Sequence, residues 1–269
     1  FSAVTYFTGF RTRGGAAVLH TLTVAQGSIE AEQVRAQSIA GLYSPQRGRY
    51  DLALPYETTA VPLSGGGVGI GSDNVDAIVR SGDLTLRDIR IDTGQVVAFV
   101  IDGYAPRPAL SGEARPTDDG RAIIVTLRNE SGAVFENAVL VYGDKQVRVG
   151  DMAAGETREM PLTTTPGVPL GATPTPDPLF PTGIVIPNPL INDPTFILGT
   201  PDYYSDPDAY PRWQLLQSLY NYSAPAVAPV SAAVTLAGWL PDSPQAIDIN
   251  ADVTRSAVTL VLLEIPLRP

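Results

Sequence analysis

Short runs of alternating apolar and polar residues, each closed by turn-forming residues, recur along much of this chain. One run ends in the turn Leu127-Arg-Asn-Glu-Ser-Gly132, a second covers residues 137–142, and a Gly-Glu turn precedes a third at Thr157. Turns spaced about 8–12 residues apart are typical of antiparallel β-sandwiches. The pattern therefore predicts an all-β fold made of two immunoglobulin-like antiparallel β-sandwich domains.

The predicted boundary between the two domains falls at residue 105. Residues 1–105 form the N-terminal sandwich in this interpretation, although residues 28–40 fit neither the strand nor the helix period. The motif Ala105-Pro-Arg-Pro108 predicts a short, stiff linker, because two closely spaced prolines restrict the backbone. Residues 106–269 form the C-terminal sandwich.

The strand pattern of the second domain is interrupted by a Pro/Thr-rich stretch of about residues 163–211. A segment this long without regular periodicity predicts an irregular insertion or an arm along the surface. One short helix is predicted over residues 211–220, since proline is favoured in the first turn of a helix. Its apolar residues follow helical spacing: Trp213, Leu216 and Tyr220.

Composition excludes several classes of function. The formal net charge is −10 and the isoelectric point is about 4.5, so no basic surface is available to bind nucleic acid. The absence of cysteine excludes disulfides, thiolate metal sites and cysteine nucleophiles. The chain starts at Phe1 and ends on the apolar stretch 257–266. From these ends we expect an excised ectodomain whose membrane anchor lies outside the 269 residues.

Residues 123–162 resemble the CARDB-type and related immunoglobulin-like adhesion modules of bacterial cell-surface proteins. The matching features are the strand that enters Asn129-Glu-Ser-Gly132, the motif Asn137-Ala-Val139 and the loop 150–156. Residues 6–15 and 41–51 also resemble ectodomains of uncharacterised bacterial membrane proteins. The resemblance implies an extracytoplasmic, membrane-anchored protein at the cell surface.

Catalytic chemistry has one candidate, the single histidine, His20. It falls in the middle of a predicted strand, whereas catalytic residues concentrate at strand ends and on loops. The sequence also lacks a Gly-x-Ser-x-Gly nucleophile motif. We therefore predict that the chain is not an enzyme, has no catalytic residues and needs no cofactor.

The strongest candidate for binding is an aromatic-rich stretch over residues 203–222. Stacked aromatic side chains bind sugars or partner chains in β-sandwich modules, and they also attach irregular arms to a sandwich. Both interpretations stay open at this point. The residues predicted to bind a ligand are Tyr203, Tyr204, Tyr210 and Trp213.

Three carboxylates in the same region offer a weak calcium site, because calcium prefers closely spaced oxygen ligands. They are Asp202, Asp206 and Asp208. The alternative is a turn that caps the helix, with Asp208 near the positive end of the helix dipole.

These observations lead to one functional prediction with two alternatives. The chain is predicted to be a non-enzymatic extracytoplasmic region for adhesion, envelope scaffolding or subunit contact. The alternatives are a carbohydrate-binding module that uses residues 203–222, and an adhesin domain stiffened by calcium. The predicted partner is a protein or an envelope or surface component, with no nucleic acid, and with the membrane reached only through segments outside this chain.

Overall fold

The fold is known from a computed structural model that describes residues 16–55, 58–63, 76–80, 83–163, 190, 192–222 and 233–268; of residues 76–80, 83 and 218–222 it describes the backbone. The predicted strand over residues 2–9, the glycine-rich loop 64–71 and most of the Pro/Thr-rich insertion lie outside these residues. The strands in chain order are β1 Ala17–Ser28, β2 Gln33–Ser44, β3 Gly48–Leu54, β4 Thr59–Pro62, β5 Asp76–Arg80, β6 Asp83–Ile91, β7 Gln95–Pro106, β8 Leu110–Pro116, β9 Ala122–Asn129, β10 Phe135–Tyr142, β11 Lys145–Met152, β12 Thr157–Thr163, β13 Ala233–Leu240, β14 Asp248–Ile249 and β15 Val253–Pro266. Two helices, α1 Thr195–Leu198 and α2 Ala209–Tyr222, precede β13.

The all-β prediction is confirmed, and so is a short helix at the predicted place. Helix α2 begins two residues before the predicted helix and ends two residues after it. Helix α1 lies within the stretch predicted to be irregular, and its Ile197 and Leu198 side chains are buried. The immunoglobulin-like character of the domains and their boundary at residue 105 stay predictions.

The chain divides into two compact units. Unit 1 takes its described residues from Phe1–Ala25, Gln33–Pro106 and Pro241–Thr259. Unit 2 takes them from Gln26–Glu32, Arg107–Leu240 and Leu260–Pro269. The long strands β1 and β15 therefore each contribute residues to both units.

Unit 1 is a two-layer β-sandwich. One layer has the strand order β1-β2-β7-β4, and the other has the order β14-β3-β6-β5. Strand β2 alternates buried and partly exposed residues along most of its length, as expected for a strand with one face on a core. The core is apolar and draws on both layers; its largest fully buried members are Leu42, Leu52, Leu54, Ile89, Ile91, Phe99 and Ile101.

Unit 2 is also layered, with the strand orders β11-β10-β13-β15 and β12-β9-β8. Strand β9 buries Ile123, Val125 and Leu127 on one face, which follows the two-residue period of its sequence. Position 238 of β13 requires glycine, because an added Cβ would fall 2.4 Å from the buried Phe135 ring. A close approach of this kind is a common reason for glycine inside a strand.

Candidate functional site

Four aromatic side chains meet where the chain enters helix α2. We call Tyr203, Tyr204, Tyr210 and Trp213 the aromatic cluster. Trp213 is its centre, with ring centroids 5.6 Å from Tyr203, 4.8 Å from Tyr204 and 5.8 Å from Tyr210. The Tyr203 and Tyr204 rings lie 4.5 Å apart. The structure thus brings together all four residues that the sequence nominates for binding, and the binding itself stays a prediction.

A capped turn positions the cluster. The Asp206 carboxylate accepts hydrogen bonds from the backbone N–H groups of Asp208 at 2.9 Å and Ala209 at 3.1 Å. The Asp206 carbonyl accepts a further bond from the N–H of Tyr210 at 2.9 Å. Because the first N–H groups of a helix lack partners within the helix, this cap stabilises the start of α2. Within α2, Tyr210 and Trp213 are three residues apart, so their side chains lie on the same face of the helix.

The cluster has an inner and an outer part. Tyr203 and Trp213 are half-buried, whereas 60% of Tyr204 and 37% of Tyr210 are exposed. Leu216, three residues after Trp213, is buried, so the half-buried Trp213 lies beside the apolar face of α2. The inner rings attach the turn to the helix, as one interpretation of the sequence expects. The outer rings remain accessible, as the other interpretation requires.

The chain segment that carries the three tyrosines of the cluster is acidic. Residues 200–210 contain three aspartates and no arginine or lysine. The carboxylates of Asp202 and Asp208 are exposed and form no hydrogen bond or ion pair with any residue that the structure describes. A hydrogen bond with Tyr204 raises the pKa of the Tyr203 phenol above its usual range. The tyrosine is therefore neutral at neutral pH, and the negative charge of this segment comes from the carboxylates.

Helix α2 is held in place by a contact that the sequence analysis did not find. The Arg212 guanidinium lies 2.5 Å from the Glu136 carboxylate and 5.4 Å from the centroid of the Trp239 ring. The Trp239 indole N–H donates to the carbonyl of Ile197 at 2.7 Å. The only sequence signal was that Arg212 is the one charged residue of helix α2. Its partners are distant in sequence, so spacing could not identify them.

The calcium candidates do not form a metal-binding arrangement in the described part of the chain. No group of three or more His, Asp or Glu residues there is placed to hold a metal ion. Asp206 uses its carboxylate to cap α2. The alternative interpretation of this turn as a helix cap matches the geometry, but the capping residue is Asp206 rather than Asp208.

His20 lies in the middle of β1 and is only 3% exposed. Burial removes solvation from the charged imidazolium, so the pKa of His20 lies below its ordinary value of 6.5. A buried histidine inside a strand suits packing better than proton transfer to a substrate. The structure therefore gives no reason to assign His20 a catalytic role.

The lowered pKa of His20 predicts a pH-dependent stability. Between the ordinary pKa of 6.5 and the lower folded pKa, the unfolded chain binds a proton that the folded chain does not. The free energy of unfolding should therefore fall as the pH drops from about 7 to about 5. Urea unfolding at several pH values should show this slope for the natural chain and a flatter one for His20→Leu. Equal slopes in the two proteins would contradict this account.

The acidic residues do not alter the expected change in the free energy of unfolding between about pH 5 and 7. Hydrogen bonds lower the pKa of the Asp88 and Glu156 carboxyls, the first mainly through Arg90 and the second mainly through Arg158. Their contribution to stability is present above the ordinary carboxyl pKa and is lost only as the pH falls below it. The slope between about pH 5 and 7 therefore reports on the one histidine.

Comparison with solved structures places mu-homology domains among the similar folds. The yeast delta-COP-I mu-homology domain complexed with a Dsl1 WxWxV peptide is 9% identical, with a TM-score of 0.41 over 96% of this chain and 100% of that one. The Danio rerio Fcho1 mu-homology domain with a bound Eps15 peptide is 6% identical, with a TM-score of 0.42 over 94% of this chain and 97% of that one. Values this low do not transfer a function. No curated protein matches the chain.

These findings correct the resemblance to adhesion modules. The similar solved structures are mu-homology domains and not CARDB-like modules, so that prediction is wrong. The predicted extracytoplasmic adhesion function, the cell-surface and membrane-anchored location and the envelope partner depended on it and are withdrawn, together with the carbohydrate and calcium alternatives. The error has a physical cause, because Asn/Ser/Gly turn chemistry serves any antiparallel sandwich.

No helix in the described residues combines the length and the apolar character needed to cross a membrane.

A family model matches residues 110–268, which include both the aromatic cluster and the stretch 123–162 that carried the earlier resemblance. The match covers more than half of the 269 residues. The chain therefore belongs to the family described as Domain of unknown function (DUF8725).

Proposed function

We propose that this chain is a non-catalytic module that binds a protein partner through the aromatic cluster. The observation that carries the proposal is the arrangement of the four rings. Trp213 supports the Tyr204 and Tyr210 rings at 4.8 and 5.8 Å, and both tyrosines remain exposed. A rigid aromatic surface of this kind has a low entropic cost of binding, because the rings are already held in place.

A protein partner fits the chemistry of this surface. Tyrosine and tryptophan are enriched among the residues that dominate protein–protein binding energy. Each ring buries an apolar face while its hydroxyl or N–H can bond to a partner. Asp202 and Asp208, which are close to the rings in sequence, are exposed, and polar residues are usual at the rim of an interface.

The non-catalytic part of the proposal rests on the character of the site. The cluster consists of three phenols and one indole, and it contains no histidine. The one histidine lies buried inside β1, in the other unit of the chain. The immunoglobulin-like description of the two predicted domains belongs to this proposal as well.

The proposal can be tested with a phage-displayed library of random dodecapeptides. The natural chain should enrich peptides whose binding falls about tenfold or more with Tyr204→Ala and with Tyr210→Ala, as expected for residues that dominate an interface. Tyr104→Ala is the matched control, because Tyr104 is similarly exposed, at 55%, and lies in strand β7 of unit 1. Unchanged melting temperatures would show that each variant is folded.

Two results would overturn the proposal. The library could yield no enriched peptide, or it could yield peptides that bind the natural chain and the Tyr204→Ala/Tyr210→Ala double variant equally well. An effect of Tyr104→Ala as large as that of Tyr204→Ala would also count against a role specific to the cluster.

A further inference from the structure

The side chains in and near the aromatic cluster also indicate which chemical group of a partner would bind there. Tyr204 and Tyr210 are exposed, and the exposed residues Asp202 and Asp208 each lie two positions before one of them in sequence. Both kinds of side chain attract a cation. The face of an aromatic ring attracts a cation through the ring quadrupole, and a carboxylate attracts it through charge. An anionic group would be repelled by both features.

We propose that the partner presents an arginine within an extended segment, and that its guanidinium stacks on Tyr204 and Tyr210 while Asp202 and Asp208 neutralise it. This inference rests on the proposed function and names the chemistry of the partner. The guanidinium is favoured over the lysine ammonium because it is planar, weakly hydrated and able to stack on a ring while it bonds to a carboxylate.

The charges of the protein are arranged to receive such a group. Arg212 is the one basic residue in α1, α2 and the turn between them, and it pairs with Glu136. The segment that carries the exposed rings therefore has no basic residue that lacks a partner. The whole chain, at a net charge of −10, adds a field that attracts a basic segment.

The structure already shows the same type of contact inside the protein. Arg212 lies over the Trp239 ring at 5.4 Å, and Arg148 lies over the Phe196 ring at 5.2 Å. In the Arg212 contact the guanidinium also pairs with a carboxylate, that of Glu136. Inside the protein, one guanidinium thus contacts a ring and a carboxylate. We propose that the arginine of the partner makes the same two contacts with a ring and a carboxylate on the surface.

The test uses tryptophan fluorescence, because the chain has two tryptophans and only Trp213 lies at the surface. The probes are the peptide acetyl-Gly-Gly-Arg-Gly-Arg-Gly-Gly-amide and the same peptide with citrulline, lysine or glutamate at both arginine positions. Citrulline is planar and close in shape to arginine but neutral, since a carbonyl oxygen replaces one NH2 group of the guanidinium. The arginine peptide should bind about fivefold or more tightly than the citrulline peptide, and the glutamate peptide should bind least.

Variants connect the binding to the named residues. The double variant Asp202→Asn/Asp208→Asn should reduce the affinity for the arginine peptide severalfold and flatten its dependence on salt, since exposed charges are screened at higher ionic strength. Tyr204→Ala should reduce it by about threefold or more, as the loss of one exposed cation–π contact predicts. Tyr104→Ala should leave it unchanged.

The outcomes separate this inference from the proposed function. If arginine and citrulline peptides bind equally and both depend on Tyr204, the cationic partner is wrong and the protein-binding surface survives. Tighter binding of the lysine peptide would contradict the guanidinium stacking. If the cluster variants bind every peptide as the natural chain does, and the phage library also fails, both proposals fall. Preferential binding of a neutral oligosaccharide at the cluster would overturn both as well.

Discussion

Replacing Asn129 with aspartate should lower the free energy of unfolding by about 3 kcal/mol or more, although the two side chains have nearly the same shape. Asn129 is completely buried at the end of β9. Its side-chain amide donates to the carbonyls of Ala133 at 2.9 Å, Met152 at 2.9 Å and Ala153 at 3.2 Å. An aspartate would place a carboxylate against these three acceptors. One of its oxygens would keep the two donors of Ser131, but the other would face only acceptors, and a buried charge so poorly paired is among the most costly defects in a protein.

Urea unfolding of the natural chain and of Asn129→Asp measures this difference. Asn250→Asp is a suitable control, because Asn250 is exposed and its side-chain oxygen only accepts a hydrogen bond, from the N–H of Asp51 at 2.8 Å. An aspartate keeps that acceptor, so the control should lose about 0.5 kcal/mol at most.

Lower pH provides a second readout for the same variant. A protonated carboxyl can donate one hydrogen bond, whereas a carboxylate can donate none. The difference in stability between Asn129→Asp and the natural chain should therefore shrink as the pH falls toward about 4. A deficit that is independent of pH, or one no larger than that of Asn250→Asp, would refute the proposed role of the amide.

The turn at Asn129 also shows why sequence analysis succeeded where it did. An Asn/Ser/Gly turn between two apolar runs depends on local hydrogen bonds, such as those that Asn129 accepts from the N–H and the hydroxyl of Ser131 at 3.0 and 2.6 Å. Residues two apart carry that information in the sequence. The strands on either side were predicted for the same reason.

Strands that depend on distant partners were harder to predict. Strand β8, Leu110–Pro116, contains no β-branched residue, and it forms because it pairs in register with β9. Strand β2 was ambiguous because alanine, glutamine and serine weaken its alternation, yet it pairs with β7 along its whole length. Strand β14 has only two residues, Asp248 and Ile249, and it forms where they pair with β3.

The aromatic cluster was predictable because its members lie within about a dozen residues of one another, and local density of rings is visible in a sequence. The contacts by which Arg212 holds α2 in place could not be predicted from the sequence. Glu136 lies 76 positions before Arg212, and Trp239 lies in another strand of unit 2. Contacts over such separations are set by the sheet, and a single sequence does not report them.

These contacts lead to the second prediction of a large loss of stability. Trp239→Ala should lower the free energy of unfolding by about 3–5 kcal/mol, the usual cost of removing a buried aromatic side chain. The Trp239 side chain is completely buried, its N–H donates to Ile197 at the end of α1, and its ring lies against Arg212 of α2. Removal would leave a cavity, an unpaired carbonyl and an arginine without its ring.

Two further variants separate these contributions. Trp239→Phe keeps much of the apolar volume and the ring for Arg212, but it removes the hydrogen bond to Ile197, so it should cost less than Trp239→Ala by about 2 kcal/mol. Trp213→Ala, which truncates the half-buried tryptophan of the aromatic cluster, should cost less than Trp239→Ala because a smaller apolar surface returns to water. Urea unfolding of the three variants gives the order directly. If Trp213→Ala proves as destabilising as Trp239→Ala, the aromatic cluster is a structural element of unit 2, and its rings are not a surface reserved for a partner.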